Sequence, residues 1–312
     1  MTFAPPDVRG ERVSVIGVGT MGTAIASQLI TRGARVTIWN RSPGKYEPLV
    51  AAGAIAASTF DEAIEASPLA ISCLINSSVA QSLLAERSAT RSLNGRTFVD
   101  TSTASPTDVQ QLGDLLGAAG GKHLDAKLMF YPAQVGSSSA TIFVSGSPEL
   151  YSRFQSIFEN IVGDVRFIGH DPRRASILYT AVWSYYYAGL FGFLEGLALV
   201  TRSGIEPTLF LDQVRASSSD LIQHLRETAE RISEDRLEGD QAAVEIYTKG
   251  FQTMIDTYDE VGIPSRMLEP QRALSAFARD KGYGRADIAA VTRALLDTSE
   301  FPITAHGRIT SN

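Results

Sequence analysis

Three glycines near the start of the chain have the spacing to hold a phosphate-bearing ligand. Gly17, Gly19 and Gly22 form a G-x-G-x-x-G motif between a short apolar run, residues 13–16, and a helical pattern. In such a turn the first glycine allows a tight bend, and the second lets the backbone approach a pyrophosphate. The third glycine permits close packing of the helix on the sheet. The motif therefore points to dinucleotide binding.

The helix after this turn would complete the phosphate site. Thr20 and Met21 belong to the turn that leads into it, and the first backbone N–H groups of a helix have no partner within that helix. The positive end of the helix dipole adds to the attraction for phosphate. Glycines alone could mark a plain loop, but strand, turn, helix and second strand follow here in the order that dinucleotide binding requires.

The second strand, residues 36–39, ends where the ribose of the adenosine would lie. Sites selective for NAD usually place an acidic residue there. This chain has Asn40, Arg41 and Ser42 instead, with Lys45 shortly after. An arginine can bind a 2′-phosphate through two parallel hydrogen bonds, and a serine can donate another. We therefore expect NADPH rather than NADH, although Arg41 could also be an ordinary solvated side chain.

Polar residues near the ends of later strands are further candidates. Asn76 follows a predicted strand at residues 69–74, and Thr101 follows the next. Ligands of doubly wound sheets bind at such strand ends, so both side chains could contact the ribose or the nicotinamide, or could merely cap helices. Asp125 and Lys127 share one face of a later strand and could simply pair.

The longest predicted helix, residues 172–203, carries aromatic side chains at regular intervals. Tyr179, Trp183, Tyr187 and Phe191 recur every four residues and share one face. They could form a plain packing stripe, but a buried phenol needs a partner for its hydroxyl. The tyrosines are therefore also candidates for a site.

The same helix is apolar enough to raise the question of a membrane span. Glu195 is the only charge within residues 177–200. Its presence, together with internal tyrosines and a cofactor domain upstream, argues against a transmembrane helix. A helix that is apolar all round is equally expected inside a large protein or a dimer. We therefore expect no membrane span.

Composition and charge are those of an ordinary globular protein. The 312 residues are 44% hydrophobic and 20% charged, and the net charge of −6 gives no general attraction to nucleic acid or anionic membranes. The single cysteine, Cys73, excludes an intramolecular disulfide, and the four histidines lack metal-ligand spacing. No secretory signal is visible at the N-terminus. We expect a cytoplasmic protein without a metal.

The order of the predicted elements divides the chain into three parts. Strands and helices alternate through residues 1–170, which predicts an α/β Rossmann-type domain. Residues 171–203 form a long interdomain helix, and residues 204–312 an all-α domain. The helices predicted in that last part cover residues 207–216, 220–232, 241–262, 269–281 and 285–296.

These features resemble the β-hydroxyacid dehydrogenase superfamily and, within it, the imine reductases. The resemblance lies in GVGTMGTAIASQL, WNRSPGK, LDAKLMFYPAQVGSSSATIFVSGS and the helix end GFLEGLALV. It implies NADPH-dependent reduction of imines or iminium ions to amines, extending to reductive amination of a ketone with an amine. It also implies a homodimer whose subunits swap helical halves, so that each active site lies between two subunits.

Departures from the superfamily favour the imine reductases over the hydroxyacid enzymes. The latter use a lysine on the long helix and a Ser-Gly-Gly loop that holds a carboxylate. Here residues 176–200 contain no lysine, arginine or asparagine, and the corresponding loop, residues 129–133, is apolar. An anionic substrate would meet little to neutralise it. A hydroxyacid dehydrogenase with another acid, and a non-catalytic NADPH-binding dimer, stay open as alternatives.

The resemblance also implies which residues form the active site. Imine reductases carry an Asp or a Tyr near the start of the long helix. Aligning on residues 192–194 puts Tyr179 there, whereas aligning on the Leu-Tyr pair puts Thr180 there. We choose Tyr179, whose hydroxyl would protonate or orient the substrate nitrogen during hydride transfer. The remaining predicted pocket residues are Met129, Trp183, Tyr187 and Phe191.

Overall fold

The structure is a computed structural model that describes residues 5–42, 46–85, 92–239 and 242–297. The chain forms two compact units, Met1–Ser184 and Tyr185–Asn312. The strands of the first unit are β1 (Arg12–Ile16), β2 (Arg35–Trp39), β3 (Ile55–Ala56), β4 (Leu69–Ser72), β5 (Thr97–Asp100), β6 (Lys122–Met129), β7 (Thr141–Gly146) and β8 (Asp164–Gly169). Its helices are α1 (Thr20–Thr31), α2 (Glu47–Ala51), α3 (Phe60–Glu65), α4 (Ser77–Ala85), α5 (Pro106–Ala118) and α6 (Pro148–Ile161). They are followed by α7 (Arg173–Arg202), which belongs to both units, and by α8 (Pro207–Ser233), α9 (Val244–Glu260), α10 (Leu268–Ala278) and α11 (Ala290–Leu296).

The strands form one sheet in the order β3-β2-β1-β4-β5-β6-β7-β8. Every neighbouring pair is parallel except β6 and β7, which run antiparallel. The segment between those two strands holds a single 3₁₀ turn, Pro132–Gln134, whereas a parallel crossover usually needs a whole helix. The predicted Rossmann-type α/β fold is confirmed, with one antiparallel pair that the sequence did not indicate.

The sheet brings the candidate residues to one edge. β1, β4 and β5 bury almost every side chain, as parallel strands covered on both faces do. The strand order reverses between β1 and β4, and ligands of such sheets bind outside the carboxyl ends at this point. The glycine turn follows β1, and Asn76 comes shortly after β4.

The helical part differs in detail from the prediction. α8 is one continuous helix, Pro207–Ser233, where the sequence indicated two. The serine-rich stretch between them is helical, and its hydroxyls bond back to carbonyls of the preceding turn instead of competing for the helical backbone bonds. Ser217 Oγ donates to the Gln213 carbonyl at 3.0 Å, and Ser218 Oγ to the Val214 carbonyl at 2.7 Å. Two short elements, α2 and β3, were not predicted, and α11 begins later than expected.

Glu195, the lone charge of the apolar stretch in α7, has a structural role in the second unit. Its carboxylate accepts hydrogen bonds from Ser265 Oγ and from the backbone N–H groups of Arg266 and Met267, at 2.8–3.0 Å. It therefore fixes the segment that leads into α10. Within the part of the chain that the structure describes, no helix has the length and apolar character needed to cross a membrane.

Candidate active site

The three motif glycines occupy three different environments. Gly17 has a φ of +90°, and a Cβ there would lie 2.8 Å from the Cys73 carbonyl oxygen. A Cβ on Gly22 would collide with the Gly17 carbonyl oxygen. A Cβ on Gly19, by contrast, would meet no atom within 4 Å. The turn is therefore closed at its first and third glycines and open at its second, where a ligand's phosphates could approach the backbone.

The start of α1 is also open. The helix has neither a side-chain N-cap nor an acidic residue in its first turn. Thr20 is exposed and Met21 is half-buried at this end. Unpaired backbone N–H groups and the helix dipole are thus available to an anion. This geometry fits the pyrophosphate of a dinucleotide.

A cavity lies beside the end of β2. One side consists of Trp39, Asn40, Arg41 and Ser42, and the other of Leu74, Ile75, Ser78, Val79, Ser82 and Leu83. Arg41 makes no ion pair within the described residues, and the Asn40 side chain donates to the Ser42 carbonyl at 3.1 Å. A guanidinium without an ion pair among the described residues, at the edge of this cavity, suits a 2′-phosphate. Lys45 lies outside the described residues.

The two other cofactor candidates make contacts within the protein. Asn76 Oδ1 accepts hydrogen bonds from Ser78 Oγ at 2.7 Å and from the Val79 N–H at 3.1 Å, so it caps α4. Thr101 Oγ1 donates to the Ser72 carbonyl at 2.7 Å. These bonds use the only side-chain oxygen of Asn76 and the hydroxyl proton of Thr101. A contact between either residue and the cofactor stays a prediction.

Two hydroxyl groups meet near the start of α7. Tyr179 Oη lies 3.3 Å from Thr103 Oγ1, in the loop after β5. The neighbouring Thr180 turns its hydroxyl back onto its own helix, where it donates to the Ser176 carbonyl at 2.9 Å. Of the two residues that the sequence alignment allowed at this position, only Tyr179 presents its hydroxyl to another element of the first unit within the described contacts.

Tyr179 stands at one end of a row of three aromatic rings. Trp183 packs edge-on against it with ring centroids 6.1 Å apart, and Tyr131 packs edge-on against Trp183 at 6.2 Å. Met129, the last residue of β6, is half-buried shortly before Tyr131. The sequence analysis described the loop that holds Tyr131 as apolar but did not include Tyr131 among the pocket residues. Its aromatic ring and its position just after a strand are the two features of the sequence that could have identified it.

The other two aromatics of the helix stripe lie in the second unit. Tyr187 is 46% exposed and Phe191 is 56% exposed in the single chain. Of the four aromatic residues in the stripe, Tyr179 and Trp183 are in contact in the first unit. A pocket role for Tyr187 and Phe191 stays a prediction. Among the described residues, no group of three or more His, Cys, Asp or Glu side chains is arranged to hold a metal ion.

Charged side chains are buried beneath this site. Lys127 and Asp125 form the ion pair that their shared strand face predicted, with Nζ 2.7 Å from Oδ1, and neither is more than 1% exposed. Burial raises the pKa of Asp125 to about 7, and the Lys127 ammonium opposes the rise. Burial also raises the pKa of Asp100, which accepts a hydrogen bond from Ser102 Oγ at 2.8 Å.

Two buried titratable residues of the first unit can be excluded from acid–base chemistry at neutral pH. Burial raises the pKa of the Cys73 thiol to about 12, so the thiolate is scarce. Burial, together with the nearby Lys127 charge, lowers the pKa of His123 to about 3, so the ring stays neutral.

Two family models together match nearly the whole chain. Residues 12–169 match the NAD binding domain of 6-phosphogluconate dehydrogenase. Residues 171–297 match the C-terminal domain of the NADPH-dependent reductive aminase-like proteins. Both the cofactor half and the helical half thus have recognised counterparts.

Individual relatives are similar over both halves. An NADPH-dependent reductive aminase from Aspergillus oryzae is 29% identical over 286 residues, covering 90% of this chain and 96% of that protein. An imine reductase from Pseudomonas sp. has a TM-score of 0.85 at 30% identity, covering 92% of this chain and 100% of the other. A reductive aminase from Aspergillus terreus, solved with NADPH and ethyl levulinate, has a TM-score of 0.83 at 27% identity, covering 92% and 99%.

Proposed function

This chain belongs to the imine reductase family of the β-hydroxyacid dehydrogenase superfamily, and we propose that it reduces imines or iminium ions to amines with NADPH. The proposal includes reductive amination, in which a ketone and an amine condense before reduction. The observation that carries it is the Tyr179–Thr103 hydroxyl pair, in which Tyr179 comes from a helix that contains no lysine. Two of the relatives described above are reductive aminases, which supports the amination step.

In the proposed site the cofactor supplies a hydride to the carbon of the C=N bond. The glycine turn and the open start of α1 would hold its pyrophosphate, while Arg41 and Ser42 would bind the 2′-phosphate. The unpaired Arg41 and the free space over Gly19 support this assignment. The absence of an acid after β2 favours NADPH over NADH.

The chain's own contribution is proton handling and exclusion of water. An iminium accepts hydride more readily than a neutral imine, so the nitrogen needs a proton or a polarising hydrogen bond. The Tyr179 hydroxyl, held by Thr103, would provide it. Because a phenol is a weak acid at neutral pH, orientation and polarisation contribute more than complete proton transfer. The rings of Trp183 and Tyr131 could hold the cation through its attraction to aromatic faces.

NADPH oxidation with a small cyclic imine at neutral pH tests this function. The control is NADP⁺ reduction with a panel of 3-hydroxyacids, and both reactions are repeated with the non-phosphorylated cofactor. We expect turnover of the imine, much slower turnover with NADH, and none of the hydroxyacids. Turnover of hydroxyacids alone would replace the proposal by the dehydrogenase alternative. NADPH binding without turnover in any assay would favour the non-catalytic dimer.

The chain is also proposed to act as a homodimer with swapped helical halves. α8 buries none of its side chains in the single chain, and Leu221, Ile222 and Leu225 are exposed along it. A row of exposed apolar side chains along one helix is typical of a surface that contacts another protein chain. Light scattering should give twice the chain mass of 33.6 kDa, and a monomeric mass would refute the dimer. The cytoplasmic location stays a prediction.

A further inference from the structure

A buried lysine lies beneath the loop that carries Thr103. Lys127 is 1% exposed, and its ammonium donates to the Ser102 carbonyl at 2.6 Å and to Asp125 Oδ1 at 2.7 Å. Both bonds stay within the protein, so this lysine does not replace the substrate-facing lysine of the hydroxyacid enzymes. Its bonds connect β6 to the segment after β5.

The carbonyl groups on both sides of Thr103 are held. Lys127 binds the Ser102 carbonyl, and the Ser176 hydroxyl donates to the Ala104 carbonyl. Ser176 is fully buried in the first turn of α7, three residues before Tyr179. The two bonds therefore fix the loop and the helix that carry the paired hydroxyls.

Asp125 holds the lysine ammonium through its Oδ1 and lies close to the start of α7. The Ser176 backbone there opposes the rise of its pKa. A buried ion pair of this kind contributes little net stability, since an apolar pair of similar volume would often serve the fold as well. The pair lies close both to the loop that carries Thr103 and to the start of the helix that carries Tyr179, which indicates a role in positioning these two residues.

We propose that Lys127 is a positioning residue for the Tyr179–Thr103 hydroxyl pair, with Asp125 holding the lysine ammonium in place. The inference rests on the proposed function, because that function gives Tyr179 its role. Loss of the lysine would release the Ser102 carbonyl and let Thr103 drift from Tyr179. Misplacement of a reacting group by about 1 Å can lower a rate by about 10²-fold.

The test replaces both members of the pair, Lys127→Met with Asp125→Asn, so that Asp125 is not left as a buried charge without its lysine. We expect kcat for a cyclic imine to fall about 10- to 100-fold while the Kd for NADPH changes by less than about twofold. Ser14→Ala is the matched control, because Ser14 Oγ makes a buried hydrogen bond to the Ala63 carbonyl in the same sheet. That control should leave kcat unchanged.

A double-mutant cycle separates positioning from general damage. In a Tyr179→Phe background the paired substitution should add almost no further loss, because the group that it positions has been removed. A loss of equal size in both backgrounds would overturn the proposal. Wild-type kcat in the paired variant would overturn it as well.

Hydrogen exchange over residues 101–105, followed by mass spectrometry, gives a readout that does not depend on turnover. We expect faster exchange there in the paired variant and unchanged exchange in Ser14→Ala. If the wild-type protein fails to reduce an imine but this exchange responds, the proposed function falls and the anchoring of the loop stands. Unchanged exchange would overturn the positioning role even in an active imine reductase.

Discussion

The Tyr179→Phe variant should lose about 10²-fold or more in kcat/KM for a cyclic imine, since a positioned proton donor typically contributes that much. The substitution removes one oxygen and keeps the ring, so the edge-on contact with Trp183 is preserved. The described contacts of Tyr179 are with Thr103 and Trp183 and not with the glycine turn, so the Kd for NADPH should stay within about twofold of the wild-type value. A steady-state comparison with the imine, beside NADPH titration by fluorescence, measures both quantities.

Thr180→Val is the matched control for this result. The sequence left Tyr179 and Thr180 open at the donor position, and valine has nearly the shape of threonine without its hydroxyl. The Thr180 hydroxyl donates to the Ser176 carbonyl within its own helix, so its loss should leave kcat/KM close to the wild-type value. Unchanged kcat/KM in Tyr179→Phe would remove Tyr179 from the mechanism. A large loss in Thr180→Val instead would assign the role to Thr180.

The cofactor part of the site was predictable because it is local in sequence. Gly17, Gly19 and Gly22 act through a turn of a few residues. The structure shows a positive φ at Gly17 and no room for a Cβ at Gly22, where it would collide with a backbone oxygen. Arg41 follows its strand directly, so its place at the rim of the cavity needed no tertiary information. A short sequence motif such as the glycine turn determines its own backbone geometry, so it can be identified without knowledge of the rest of the fold.

The substrate side was only partly predictable, because its contacts join distant segments. Thr103 and Tyr179 are separated by 76 positions, and nothing in either local pattern indicates that their hydroxyls meet. The pairing of Asp125 with Lys127 was visible from strand alternation, but its contact with the Ser102 carbonyl was not. Tertiary packing decides such contacts, and the same holds for the antiparallel pairing of β6 with β7.

Replacing Gly22 or Gly19 by alanine, each in a separate variant, should separate the effect on the stability of the fold from the effect on cofactor binding. In Gly22→Ala the new methyl group meets the Gly17 carbonyl oxygen, which belongs to the backbone and cannot move aside cheaply. Overpacking of this kind costs about 3 kcal/mol. For a domain of this size that corresponds to a fall in Tm of about 6–12 °C. The folded fraction should still bind NADPH.

Gly19→Ala should have the opposite effect, because a Cβ there meets no protein atom within 4 Å and the backbone φ of −67° suits any residue. Its Tm without cofactor should stay close to that of the wild-type protein, whereas the Kd for NADPH should rise about 10-fold or more, because the methyl group occupies the space the pyrophosphate needs. Thermal unfolding with and without NADPH measures both effects. A ligand at about 100 times its Kd adds about 2.7 kcal/mol to the folded state, so the wild-type protein and Gly22→Ala should gain Tm on addition of NADPH while Gly19→Ala gains much less. Equal gains in all three proteins would place the pyrophosphate elsewhere, since the open space over Gly19 would then have no ligand to exclude.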